Sequence, residues 1–194
     1  MKGRPRAFDE DEVLDRALMA FWRLGYDACS VRDIVAATGV KAQSLYNVYG
    51  DKRGLFLAAA ARYRARSAAA LAPLRKEDAG VDDVRGYVEQ FLKMLRANDC
   101  TACLLVRTAL SPIAGDAAIR RAIDEASNEV RAALALAVGA AVRRGELPRT
   151  LDPKAGAAYL YTVLHGLTAL AQTGGTPKQL KAALATALAG LARA

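Results

Sequence analysis

Gln43, Tyr46 and Asn47 fall at i, i+3 and i+4 within KAQSLYNVY. A helix there sets two amides and a phenol on one face. Paired amide donors and acceptors match base edges, adenine in particular, and a tyrosine hydroxyl is a good phosphate ligand. Ala42 is small enough to approach a base closely or to touch a thymine methyl. This chemistry recognises duplex nucleic acid; it breaks no bonds. Lys41, Lys52 and Arg53 flank the segment, and Lys2, Arg4 and Arg6 lie on the arm that opens the chain. The arm either supplies counterion-releasing contacts, reaching the minor groove, or is a solvated tail. Ser30 adds a hydroxyl at a second helix N-terminus, where free N–H groups and the helix dipole favour phosphate. Two of these residues have plainer alternatives: Tyr46 as a core tyrosine and Asn47 as a helix-ending residue.

The elements that must position these side chains are legible from caps and stripes. Asp9 caps a first helix, with Glu12 in the capping-box position and Phe8 and Val13 placed for a hydrophobic staple. Val13, Ala17, Ala20, Phe21 and Leu24 form one apolar stripe before Gly25 ends the helix. Ser30 and Asp33 repeat the capping box, with Cys29 and Ile34 in the staple positions, for a short second helix that stops at Gly39. The third helix spans roughly 41–48, with Leu45, Val48 and Tyr49 on its inner face. Asp51 caps a long fourth helix, expected to run toward Arg75, and Pro73 with KEDAG (76–80) marks the joint with the later helices. Those helices are expected at about 82–98, 102–110, 116–144, 152–173 and 177–193. The last opens on Thr176, Pro177 and Gln179 and carries Leu180, Leu184, Leu188 and Leu191 on one stripe. No strand pattern is present. The expected fold is all-α, about nine helices, with a three-helix helix-turn-helix unit ahead of a larger helical domain.

Composition agrees. Hydrophobic residues are 53% and charged residues 25% of the 194, which fits a folded domain and excludes a disordered one. The net charge of +8 is compatible with a polyanionic partner. Residues 1–54, however, hold 9 basic and 8 acidic side chains, so placement matters more than the total. The charged N-terminus lacks the apolar core of a signal peptide, and three cysteines make no disulfide framework, so a cytoplasmic location is expected. The uncharged stretch 155–177 reads as a buried interface helix, because its apolar part is too short and too rich in Ala, Gly and Thr to span a membrane. One histidine, no base–nucleophile pair and no phosphate-cradling glycine loop speak against an enzyme. No cofactor or metal is implied.

Residues 6–56 resemble the DNA-binding domain of the TetR family of bacterial regulators. The resemblance rests on FDEDEVLDRALMAFWRLGYDACS, VRDIVAATGV and SLYNVYGDKRGLF, and on Leu45-Tyr46, Tyr49 and Lys52 at the spacing of the family signature. Val35 stands where a small alanine is common, Tyr49 where phenylalanine is usual, and Gly54 where an acid is usual. The resemblance implies phosphate contacts from Tyr46 and Lys52, and base contacts from Gln43 and Asn47. It also implies a DNA-binding domain over 1–54, an effector-binding and dimerisation domain over 55–194, and a homodimer on a palindromic operator answering to a small-molecule effector. Leu160, Leu164, Leu167, Leu184 and Leu188 are the expected dimer-interface residues. Cys103, Arg107, Tyr159, Thr162 and His165 are the expected pocket-lining groups. Cys100-Thr-Ala-Cys103 admits three readings: a thiol switch, metal sensing or simple packing.

Overall fold

The structure, a computed structural model, describes residues 8–97 and 103–193, the side chains of 95–97 excepted. Arg4, Arg6 and Cys100 lie outside the described residues. Among the described residues nine α-helices follow in order: α1 (Glu10–Leu24), α2 (Val31–Thr38), α3 (Ala42–Tyr49), α4 (Lys52–Ala70), α5 (Val81–Ala97), α6 (Leu104–Ala109), α7 (Ala117–Arg143), α8 (Pro153–Gln172) and α9 (Pro177–Leu191). Among the described residues there is no strand. No described helix is long and apolar enough to cross a membrane.

The helix starts follow the side-chain chemistry. Asp9 accepts from the amides of Asp11 and Glu12 at 2.9 and 3.2 Å. Ser30 with Asp33, and Thr176 with Gln179, form full reciprocal boxes. At α1 Glu12 does not close the box; its carboxylate accepts from Arg16 one turn on, at 2.6 Å. α4 ends at Ala70, short of the expected Arg75, because Pro73 opens a 3-10 turn over Pro73–Arg75.

Two apolar clusters form. The first is built from α1–α4 together with Cys103, Leu104 and Leu105 at α6 and Ile119, Ile123 and Ala126 at the start of α7. Phe56 meets Phe21 and Tyr26 edge-on, each at 5.1 Å, and Trp22 meets Tyr63 at 4.9 Å. Edge-to-face ring pairs add stabilisation beyond area burial. The second cluster joins α5, the rest of α7, α8 and α9. α8 approaches α7 at Gly156, where a Cβ would lie 3.0 Å from the Val138 side chain.

Three expectations about faces are corrected. Leu24 and Val48, expected inward, are 40% and 46% exposed, and Leu18 and Trp22 take the inner positions on α1 instead. The leucines expected at a dimer interface (Leu160, Leu164, Leu167, Leu184 and Leu188) are all buried within the protomer's own second cluster. That leaves a different set outward: Ala155, Ala158, Tyr159, Thr162, Gly166 and Ala169 on α8, with Ala182, Ala185, Thr186 and Ala189 on α9.

Candidate nucleic-acid interface and effector cavity

α2 and α3 meet through Ile34 and Leu45, 1% and 0% exposed. Between them the chain turns at Gly39, whose φ of 72° is left-handed. Thr38 braces the turn: its hydroxyl donates to the Ile34 carbonyl at 2.8 Å and accepts from the Val40 amide at 3.3 Å. With Leu45 turned inward, helical geometry puts Gln43 and Asn47 in solvent. Gln43 Nε2 donates to Asn47 Oδ1 at 2.9 Å. The pair is thereby held together, with Gln43 Oε1 as acceptor and Asn47 Nδ2 as donor remaining for a base edge. Lys41 precedes α3 and is exposed, and no side chain caps the amides of α3's first turn. Ala42 lies partly exposed in that turn.

Tyr46 is half-buried against the first cluster. Burial, then the Asp51 carboxylate, pushes its phenol above the usual value, so the hydroxyl keeps the proton it would donate to a phosphate. Lys52 opens α4 with its ammonium 4.4 Å from the centre of the Tyr26 ring, a cation–π contact that holds the side chain against α1's end. α4 itself is pressed against α3. A Cβ on Gly54 would lie 1.9 Å from the Tyr49 carbonyl oxygen, and its amide donates to Asp51 Oδ1 at 2.7 Å. Glycine at this position therefore belongs to the packing of α4 against α3. Ser30 is placed differently from expectation. Its hydroxyl and its amide both donate to Asp33 Oδ2, at 2.5 and 2.8 Å, so its own donors are occupied within the capping box.

Arginines tie this unit to the rest of the chain. Arg62 binds Asp11 and Asp15 at 2.7 and 2.8 Å, and Arg66 binds Asp15 at 2.5 Å, joining α4 to α1. Arg64, on the other flank of α4, binds Glu129 at 2.7 Å and also Glu125, joining it to α7. Arg53 grips Asp116 with two hydrogen bonds of 2.6 and 2.9 Å, and Asp116 also caps α7. The Arg53 guanidinium and the α7 amides hold the Asp116 carboxyl at about 2. Arg107, expected in a pocket, instead donates to the carbonyls of Arg23 and Leu24 at 2.9 and 2.8 Å, capping the C-terminus of α1 from α6.

A cavity of about 490 Å³ opens between α1, α4, α5, α7 and α8. Of the expected lining residues, Cys103 and His165 face it; Arg107, Tyr159 and Thr162 do not. Tyr159 is 41% exposed and its hydroxyl donates to the Ala187 carbonyl at 3.3 Å, while the exposed Thr162 donates to Ala158 at 3.0 Å. The rings around the cavity are Trp22, Tyr63, Tyr87, Phe91 and Tyr161, which sequence reasoning missed. Cys103 is buried on the cavity wall, 3.7 Å from the Tyr63 hydroxyl, and burial pushes its thiol up. A reactive thiolate needs the opposite environment, so packing is the better account of this cysteine.

Comparison with known proteins agrees with this geometry. Residues 13–59 match the family described as "Bacterial regulatory proteins, tetR family", and residues 80–187 match "Tetracyclin repressor-like, C-terminal domain". The chain is 34% identical over 192 residues to the HTH-type transcriptional repressor ComR of Escherichia coli, covering 96% of this chain and 90% of ComR. The chain belongs to the TetR family. It is a DNA-binding transcriptional regulator and not an enzyme. The HTH-type regulator YezE of Bacillus subtilis is 31% identical over 173 residues, covering 88% of this TetR-family chain and 89% of YezE. Among solved structures, a cysteine variant of the TetR family regulator CifR complexed with 26-bp double-strand operator DNA superposes with a TM-score of 0.84. That match is at 28% identity and covers 96% of this chain and 98% of CifR.

Proposed function

We propose that this chain is a cytoplasmic repressor that binds a palindromic operator as a homodimer and releases it on binding a small-molecule effector. Gln43 and Asn47 read bases, with Ala42 in close approach. Tyr46, Lys41 and Lys52 hold phosphates, and the arm carrying Arg4 and Arg6 adds counterion-releasing contacts. The observation that carries this is the coupled amide pair on the solvent face of α3, in a fold whose relative CifR is complexed with operator DNA. DNA binding belongs to residues 1–54 and regulation to 55–194. The first apolar cluster nevertheless crosses that boundary through α6 and α7, which supplies a physical path between them.

The dimer forms through the outward faces of α8 and α9. No charged residue occurs between Ala155 and Gln172 or between Ala182 and Ala192, and small side chains there let helices of a second copy come close. Two reading helices related by a two-fold axis then meet successive major grooves, ~34 Å apart. The cavity is wedged between α1 and the C-terminal helices, so a ligand there biases the spacing of those helices directly.

The test is a mobility shift on the promoter region beside the chain's own gene. Binding is expected, with affinity falling steeply as salt rises and abolished by Tyr46→Ala. A protein that retains its fold and ignores that DNA, and any palindrome selected from random duplexes, overturns the proposal.

A further inference from the structure

α3 carries an apolar side chain that the core does not use. Val48 is 46% exposed, while Leu45, one turn before it, is 0% exposed. A single exposed valine is ordinary on most surfaces. On α3 it works against the helix. That helix has only eight residues, no side chain caps its start, and its first turn holds no acidic residue. A β-branched residue loses side-chain freedom in a helix and favours it less than alanine or leucine does. Packing normally offsets that loss, and Val48 has little packing.

Its neighbours show what it stands beside. Helical periodicity places Gln43 and Asn47 opposite Leu45. Ala42, Tyr46 and Tyr49 fall on one flank of that pair, where both tyrosines pack against the first apolar cluster. Ser44 and Val48, four residues apart, make a column on the other flank. α3 thus presents two columns outward. One is the amide pair joined by the 2.9 Å bond from Gln43 to Asn47; the other ends in an isopropyl group.

The edges of an A·T pair match these columns. The amide pair leaves one acceptor and one donor, the complement of adenine's N6 donor and N7 acceptor. Guanine offers two acceptors there and would leave the Gln43 oxygen without a partner. Wherever adenine stands, its thymine puts a C5-methyl group into the same groove. An amide or a hydroxyl gains no hydrogen bond from that methyl, whereas an isopropyl group takes it out of water. Cytosine lacks the methyl, so the contact discriminates.

We propose that Val48 is a specificity-determining residue, its isopropyl group packing on the C5-methyl of a thymine beside the adenine engaged by Gln43 and Asn47. This rests on the base-reading role proposed for α3. The test uses the promoter duplex beside the chain's own gene, with each thymine in turn replaced by uracil, symmetrically in both half-sites. The replacement removes a methyl group and keeps base pairing. At one position it is expected to weaken binding by the wild-type full chain about fourfold per half-site, the size of one buried methyl group. Val48→Thr keeps the shape of the side chain and exchanges a methyl for a hydroxyl. It is expected to lose a similar factor on the thymine duplex and nothing further on the uracil duplex. Val48→Ala is expected to behave in the same way. Melting temperature and helicity report folding, and both should be unchanged because Val48 lies outside the core. Three results overturn the assignment: no uracil replacement weakening the wild type, the sensitive position staying equally sensitive in Val48→Thr, or both variants matching the wild type on the thymine duplex. If the wild type binds neither the promoter duplex nor any palindrome selected from random duplexes, base reading by α3 itself fails, and the role of Val48 with it.

Discussion

The side chains of α3 divide their work by where helical geometry leaves them. Gln43 and Asn47 lie in solvent as a hydrogen-bonded pair, while Tyr46 is anchored at its ring. Base readers and phosphate holders respond differently to mutation. On the proposed base-reading role, Gln43→Ala is expected to cost about 1–3 kcal/mol on the preferred operator and to relax preference at one base. Lys52→Ala is expected to weaken all duplexes alike and to reduce the salt slope by about one. Binding titrations over a set of single-base operator variants, at several salt concentrations, separate the two patterns. Gly54 supports a different residue-scale prediction. A methyl group there would collide with the Tyr49 carbonyl, a backbone atom that cannot swing aside. Gly54→Ala is expected to lower the melting temperature by several degrees, equivalent to about 1–3 kcal/mol, and to weaken operator binding by displacing α3 from α4. Calorimetry together with a mobility shift checks both.

At the scale of elements, α4 is held on two flanks by alternating arginines, and the Arg53–Asp116 pair ties its first turn to α7. Asp116→Asn keeps a cap for α7 and removes the ion pair. The carboxyl is depressed to about 2 in the folded chain, from an ordinary value of 3.8. Its stabilisation is therefore fully present above the ordinary value and disappears as pH falls through the folded one. The stability difference between wild type and Asp116→Asn is expected to be constant from neutrality down to about pH 5. It should shrink toward zero as pH approaches 2, measured by urea unfolding at each pH. These ties were not legible in the sequence. Capping boxes at Ser30 and Thr176 were, because their partners lie three residues apart and physics between them is local. Arg62, Arg64 and Arg66 advertise their spacing, but nothing local says that Asp15 and Glu129 wait on opposite sides. Face assignment failed for the same reason on α8, where alanine and leucine occupy every side. Tyr161 and His165 face the cavity and Tyr159 and Thr162 do not, a choice that only the packing of α1, α4 and α5 decides. Val48 reads as an inner residue by spacing, yet Leu45, with Tyr46 and Tyr49 partly buried beside it, fills the contact.

For the molecule as a whole, the proposed two-copy arrangement would convert a weak half-site reader into a specific one. The outward faces of α8 and α9 carry Ala158 and Ala185, both exposed in the protomer. Ala158→Glu combined with Ala185→Glu puts like charges on both sides of a two-fold interface and leaves the protomer core untouched. Sedimentation equilibrium is expected to show a dimer for the wild type and a monomer for the double variant, with unchanged helicity. Operator affinity should then fall by a hundredfold or more. A dimeric double variant would place the interface elsewhere.

The chain contains one tryptophan, and it stands on the cavity wall within α1, the helix that braces the DNA-reading pair. Its ultraviolet emission is, if the cavity takes the proposed effector, a label-free gauge of occupancy, free of background from any other indole. The same photons report on the brace itself, so a stopped-flow trace could time guest arrival against helix movement without a single dye attached.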